Sequence, residues 1–232
     1  MNSRLVLFDI DGTLIYHVGP QRWEEQYIRA FTSVYHIPAD FDIAQYDGTI
    51  DRHLAWDIAK KFDISRQQFL DRFPLYINDM HDQLTEWAKA HRLFKPIDDA
   101  VALVSRLSGK NDVFLGIITG NAKRIAQWKL EHTGLSGYFH FGLYGDEAES
   151  RIELARLVFA KAQEELHQTF TSNQITVIGD TVHDIRCGKD IGAYTIGVTT
   201  GMHGPKKLLK AEHPSLLVDS LMDKRVLALF SL

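Results

Sequence analysis

Leu5-Val6-Leu7-Phe8-Asp9-Ile10-Asp11-Gly12-Thr13-Leu14 is the stretch on which the reading of this chain turns. Four consecutive apolar residues, Leu5 to Phe8, are too few for a helix with one dry face and fit a strand buried on both sides. The run stops at a carboxylate, and Asp11-Gly12 is a turn signal. Two later stretches repeat the design. Val113 to Ile118 is an apolar run that ends at Thr119-Gly120-Asn121. Ile175 to Ile178 ends at Gly179-Asp180-Thr181-Val182-His183-Asp184. Tyr194 to Val198 and, more weakly, Leu216 to Val218 read as further strands. Helical patterns separate these runs, so the expectation is an α/β protein with a Rossmann-like parallel sheet and crossover helices.

The stretch from about Pro20 to His91 lacks strand patterns. Trp23, Tyr27, Ile28, Phe31 and Val34 recur at helical spacing, and Thr49 is positioned to cap a helix carrying Leu54, Ile58 and Phe62. Ser65 and Gln68 have capping-box spacing, Pro74 is expected to kink or end that helix, and another carries Met80, Leu84 and Trp87. Asp98 reads as the cap of the helix that returns to the sheet. A helical block between the first two long strands predicts an inserted domain, with hinges at His17-Val18-Gly19-Pro20 and Phe94-Lys95-Pro96. The expected division is a catalytic core of residues 1–16 and 95–232 and a helical cap of residues 17–94. Trp23, Trp56 and Trp87 are assigned to packing.

The chemistry sits at the strand ends. In open parallel sheets, ligands bind at the carboxyl ends of the strands. If the three long strands are neighbours, Asp9, Asp11, Asp180 and Asp184 converge with the Thr119 hydroxyl. Four clustered carboxylates repel one another unless a cation intervenes, and carboxylate oxygens suit Mg²⁺. Thr119 with the backbone N–H groups of Gly120 and Asn121, at a helix start, forms a candidate anion cradle. Cation, cradle and carboxylate together point to phosphoryl transfer onto an aspartate.

These segments resemble the signature motifs of the haloacid dehalogenase superfamily. Asp9-Ile10-Asp11-Gly12-Thr13 is similar to its first motif, Ile117-Ile118-Thr119-Gly120-Asn121 to its second, and Gly179-Asp180-Thr181-Val182-His183-Asp184 to its fourth. The helical insert resembles the cap of the phosphoglycolate-phosphatase-like branch. The resemblance implies a Mg²⁺-dependent phosphatase acting on a small phosphomonoester. Asp9 would be the nucleophile and Asp11 the general acid and base. Metal ligation would fall to Asp9, Asp11 (through its carbonyl) and Asp180, with Asp184 in support, and phosphate binding to Thr119, Gly120 and Asn121. The family's basic residue is assigned to Lys129, with Arg151 and Lys123 as alternatives, because the usual Lys-Pro pair is replaced by Arg151-Ile152. Arg151 is also a candidate substrate contact. Tyr46 to Arg52 looks like the cap loop that dips toward the cleft, and Arg52 is a candidate for binding a second anionic group. A phosphomutase, a dehalogenase or a catalytically idle module of the same fold are the competing readings. Asp11 speaks against the dehalogenase, and the intact aspartate set against the idle module.

Composition sets the remaining bounds. The chain has 232 residues with 45% hydrophobic and 24% charged residues and a net charge of −4, which offers no basic field for nucleic acid or an anionic membrane. No apolar stretch has the length of a membrane span. One cysteine, Cys187, excludes an internal disulfide and is expected to pack in the core. A cytoplasmic enzyme with a small phosphorylated metabolite as its partner is expected. No GxxxxGK[ST] pattern occurs, which disfavours a P-loop enzyme.

Overall fold

The computed structural model describes residues 3–22, 24–38, 46, 48–201 and 203–232. Its centre is a six-stranded parallel sheet built from β1 (Arg4–Phe8), β4 (Val113–Ile118), β5 (Phe141–Leu143), β6 (Ile175–Gly179), β7 (Tyr194–Val198) and β8 (Leu216–Val218). The order across the sheet is β5-β4-β1-β6-β7-β8. The three strands whose tips carry the polar motifs are therefore adjacent, with Phe8 level with Ile117 on one side and Ile178 on the other. Leu5 to Phe8 are fully buried, as strands covered on both faces require.

Helices α4 (Asp98–Ser108), α5 (Lys123–His132), α6 (Arg151–Arg156), α7 (Val158–Glu165), α8 (Val182–Asp190), α9 (Pro205–Ala211) and α10 (Lys224–Leu229) make or follow the crossovers. Between the first two long strands, β2 (Ile15–His17) pairs antiparallel with β3 (Phe94–Pro96). Of the two segments expected as hinges, the first starts at the end of β2 and the second, Phe94-Lys95-Pro96, is strand β3 itself. Between β2 and β3 lie α1 (Glu25–Ala30), continued by a π turn over Phe31–Tyr35, then α2 (Asp51–Ala59) and α3 (Arg66–Ala88). These helices bury Phe31, Phe69, Tyr76 and Met80, and Tyr76 stacks against Phe73 with ring centres 6.1 Å apart.

Several local expectations need correction. Helix α3 runs unbroken through Pro74. Proline removes the bond to the carbonyl of Leu70, but Leu70 and Pro74 both face solvent, so water can serve that carbonyl, while Phe69, Phe73, Tyr76 and Ile77 hold the other face. Thr49 does not cap α2. The cap position is Ile50, with no side-chain bond, and the Thr49 hydroxyl donates back to the Tyr46 carbonyl at 2.8 Å. Asp98 is the first helical residue of α4 rather than its cap. The Ser65–Gln68 capping box is present. Strand β5 and the β2–β3 ribbon went unread because three-residue strands carry no measurable period, and unlike Leu216–Val218 they are not unbroken runs of large apolar residues. The packing role expected of Trp23 falls outside the described residues. Trp56 and Trp87 pack against the core, Cys187 is fully buried, and among the described residues no helix is long and apolar enough to cross a membrane.

Candidate active site

Asp9 leaves β1 at its carboxyl end with its amide donating to the Ile178 carbonyl at 2.9 Å, which fixes the residue between β4 and β6. The chain then turns sharply at Gly12, whose φ is +78°. A side chain there would also meet Asp180, since a Cβ would lie 2.6 Å from its Oδ2. Gly12 therefore lets the loop after β1 and the β6 tip come together. Thr13 donates to Asp180 Oδ1 at 3.2 Å across the same gap.

Asp9, Asp180 and Asp184 are all buried, and each offers a carboxylate oxygen within 4.8 Å of the others. Burial and the neighbouring Asp184 push the Asp9 carboxyl up to about 7, against the opposing pull of Arg151. A buried trio of hard oxygen donors with this charge conflict is the environment a divalent cation relieves, and the cluster fits a metal site. Asp184 is also held from behind. Its Oδ2 accepts from the Thr181 amide at 2.9 Å and the Thr181 hydroxyl at 2.6 Å, closing the capping box of α8.

Of the three candidate cations, Arg151 reaches the trio and Lys129 reaches the neighbouring Asp11. Arg151, the first residue of α6, donates from one nitrogen to Asp9 Oδ1 at 2.9 Å and also to Asp184 Oδ1. Lys129 is 3% exposed on α5, and its Nζ lies 2.6 Å from Asp11 Oδ2 and 2.8 Å from Asn121 Oδ1. Asn121 in turn donates to Asp11 at 2.7 Å and to the Thr119 hydroxyl at 2.9 Å. The Asp11 carboxylate is thus turned toward Lys129 and Asn121 and stands apart from the trio. Lys123 projects over the Tyr144 ring, 5.7 Å from its centre, and does not line the cavity.

The cavity over Asp9 has a volume of about 390 Å³ and is bounded by Asp9, Asp11, Thr119, Gly120, Asn121 and Lys129 on the sheet side. Tyr46, Gly48, Thr49 and Asp51 reach it from the insert, while Asp47 lies outside the described residues. Gly120 permits this approach, because a Cβ there would sit 2.2 Å from the Thr49 carbonyl oxygen. Asp51 donates its amide to the Gly120 carbonyl at 2.8 Å. Its carboxylate, 4% exposed, accepts from the Ala122 amide at 2.7 Å and the Tyr27 hydroxyl at 3.0 Å. Arg52 is directed elsewhere. It pairs with Glu149 at 3.0 Å and is not among the residues lining the cavity, so the placement gives no support to the second-anion role expected of it.

Sequence reading missed Asp51 and Gln26, both buried on the cavity wall. Gln26 lies beside Tyr27 in a helical pattern, but helical spacing alone does not say that a polar residue faces inward. Asp51 reads as an ordinary acidic residue at a helix start.

Fold and site together define an α/β protein with a hydrolase-type centre, built on aspartates at the tips of two neighbouring parallel strands and a threonine at the tip of a third. The chain belongs to the haloacid dehalogenase-like hydrolase family, whose model matches residues 6–198. It is 25% identical to a protein named pyrophosphatase PpaX from Bacillus cereus, over 96% of this chain and 95% of that one. It is 26% identical to a phosphoglycolate phosphatase from Pseudomonas putida, over 94% and 77%. A crystal structure described as a predicted phosphatase from Clostridium acetobutylicum shares the fold with a TM-score of 0.65 at 22% identity, covering both chains fully.

Proposed function

We propose that the protein is a Mg²⁺-dependent phosphomonoesterase that works through an aspartyl-phosphate on Asp9. The observation that carries this reading is the placement of Asp9. Its carboxylate lies within the buried trio, is gripped by the Arg151 guanidinium, and opens onto a cavity edged by Thr119, Gly120 and Asn121.

Mg²⁺ would be held by Asp9, Asp180 and the Asp11 carbonyl with Asp184 behind them, and would supply charge neutralisation for nucleophile and phosphate. Asp9 attacks phosphorus, the bond to the leaving oxygen breaks, and Asp11 gives that oxygen a proton. Asp11 then takes a proton from water as the water oxygen attacks phosphorus, which frees phosphate and restores Asp9. Thr119 and the amides of Gly120 and Asn121 bind the phosphoryl oxygens. The cationic role divides between two residues: Arg151 neutralises the nucleophile end, and Lys129 orients Asp11 and faces the incoming phosphate. The helices of residues 17–94 act as a cap that closes the cavity and excludes water.

Phosphate release from phenyl phosphate tests the reading. Turnover is expected with Mg²⁺, lost in chelator and restored on re-addition, and Asp180→Asn should abolish Mg²⁺ binding measured by calorimetry. Full activity after exhaustive chelation, or unchanged Mg²⁺ affinity in Asp180→Asn, would contradict it.

A further inference from the structure

The cavity is larger than one phosphoryl group requires and falls in the range of pockets that enclose small organic ligands, with a volume of about 390 Å³. Its far wall is apolar and aromatic, formed by Leu54, Leu84, Trp87 and Phe94. Among the described lining residues, the one carboxylate on the insert side, Asp51, already has both oxygens engaged, by Tyr27 and Ala122. The cations among the described lining residues are committed as well. Arg22 pairs with Glu24 at 3.0 Å, Lys129 with Asp11, and Arg151 with Asp9 and Asp184. His17 is held below its ordinary value by burial and then by Lys129, so it is neutral at neutral pH. A second anionic group on a substrate would meet a dry wall and a buried carboxylate with no free cation among these residues, an arrangement that disfavours it.

One polar group on this wall does lack a partner. Gln26 is 5% exposed, lines the cavity, and its Oε1 is buried with no hydrogen bond among the described residues. Buried carbonyl oxygens rarely stay unpaired, and because the Gln26 side chain lines the cavity, a turn of its terminal amide brings this oxygen to a ligand donor there.

The geometry points to a substrate class: the phosphate monoester of an uncharged alcohol that carries an aromatic or similarly apolar ring and one O–H or N–H group, which Gln26 Oε1 accepts. Gln26 is then a specificity residue for the leaving group, with Leu54, Leu84, Trp87 and Phe94 packing on its ring. This assignment rests on the phosphatase reading and sets the chain apart from relatives named for pyrophosphate and phosphoglycolate, whose leaving groups are both anionic.

The test compares kcat/KM of the Mg²⁺-loaded enzyme on inorganic pyrophosphate, 2-phosphoglycolate, phenyl phosphate, uridine 5′-monophosphate and pyridoxine 5′-phosphate. The uncharged-alcohol esters are expected to exceed both anionic ones at least ~10-fold, a difference of about 1.4 kcal/mol. The better of the two donor-bearing esters should exceed phenyl phosphate. In Gln26→Met the ratio of that ester to phenyl phosphate should fall ~10-fold, one neutral hydrogen bond lost. A ratio measured on one sample does not depend on how much of the variant folds, and Gln26→Asn, which keeps the amide on a shorter arm, provides a second variant whose ratio should also fall. Preference for pyrophosphate or phosphoglycolate, or an unchanged ratio in both variants, would overturn the assignment while leaving the phosphatase reading intact. Release of phosphate from none of the five would overturn both.

Discussion

Arg151 donates to two carboxylates at once, and this decides what its loss would do. Both acceptors, Asp9 and Asp184, are buried, so Arg151→Ala leaves two charges facing each other without their counterion. Breaking a buried pair in this way costs ~3–5 kcal/mol of stability, and losing a positive contact at the reacting centre costs ~10²–10³ in kcat. Arg151→Lys keeps a charge near Asp9, but its shorter arm does not carry the ammonium to the point where one guanidinium nitrogen meets both carboxylates. We expect Arg151→Lys to recover most of kcat yet melt below the wild type, and Arg151→Ala to lose both. Steady-state kinetics and chemical denaturation of the two variants check this, and wild-type kcat in Arg151→Ala would remove the residue from the nucleophile's surroundings. The meeting of Asp9, Asp180 and Thr119 was legible in sequence because each follows an apolar run of recognisable length, and Asp11 because it lies two residues past Asp9 on the same strand tip. Arg151 and Lys129 were harder to rank, because a long side chain can reach a site from many places and sequence spacing does not fix its direction.

At the scale of the elements, the start of α2 and the start of α5 form the contact that sets the insert on the sheet. The Asp51 amide bonds the Gly120 carbonyl, and its carboxylate receives the Ala122 amide. Burial is the largest influence on this carboxyl and lifts it from 3.8 to about 6, while the Ala122 bond and Lys129 pull against it. The folded protein therefore holds this proton more tightly than the unfolded chain does. Asp51 contributes most favourably below the unfolded value, near pH 3.8, and that contribution is lost as the pH rises through about 6. In Asp51→Asn the amide can still accept from Ala122 and donate to the Tyr27 oxygen, but it does not titrate. The difference in unfolding free energy, wild type minus Asp51→Asn, should thus fall by on the order of 2–3 kcal/mol between these limits. Denaturant titrations across that window measure it, and a difference that is flat or rises with pH would refute the assignment. The sequence suggested that Tyr46 to Arg52 dips toward the cleft, but it did not single out Asp51 within that loop. Asp51-Arg52 reads as an ordinary helix start, and its burial exists only once Gly120 admits the Thr49 backbone. Pro74 gives the complementary lesson. Its local signal to break a helix was clear, and tertiary burial of Phe69, Phe73, Tyr76 and Ile77 outweighed it.

Over the whole molecule, the sheet order explains why residues far apart in the chain meet. β4, β1 and β6 lie side by side and parallel, so the segments after each strand open at one edge. The insert covers that edge, joined to the core by the β2–β3 ribbon and by contacts such as Asp51 to Ala122, Trp128 to Thr85 at 3.0 Å and Arg124 to Asn78 at 2.7 Å. The cavity between them holds Asp9, the proposed nucleophile, on one wall and the aromatic wall on the other. This arrangement suits the proposed covalent intermediate, since a phosphoryl group on Asp9 would be shielded until Asp11 activated water. Chemical capture of that intermediate examines the mechanism at its source. Wild-type protein turning over phenyl phosphate with Mg²⁺ is quenched in acid within milliseconds, reduced with borohydride, and mapped by mass spectrometry. Reduction of an aspartyl-phosphate yields homoserine, and it is expected at position 9 alone, absent from samples given chelator and from Asp9→Asn. Rapid phosphate release with no homoserine at position 9, or with the label on another residue, would contradict the assignment of Asp9 as the nucleophile.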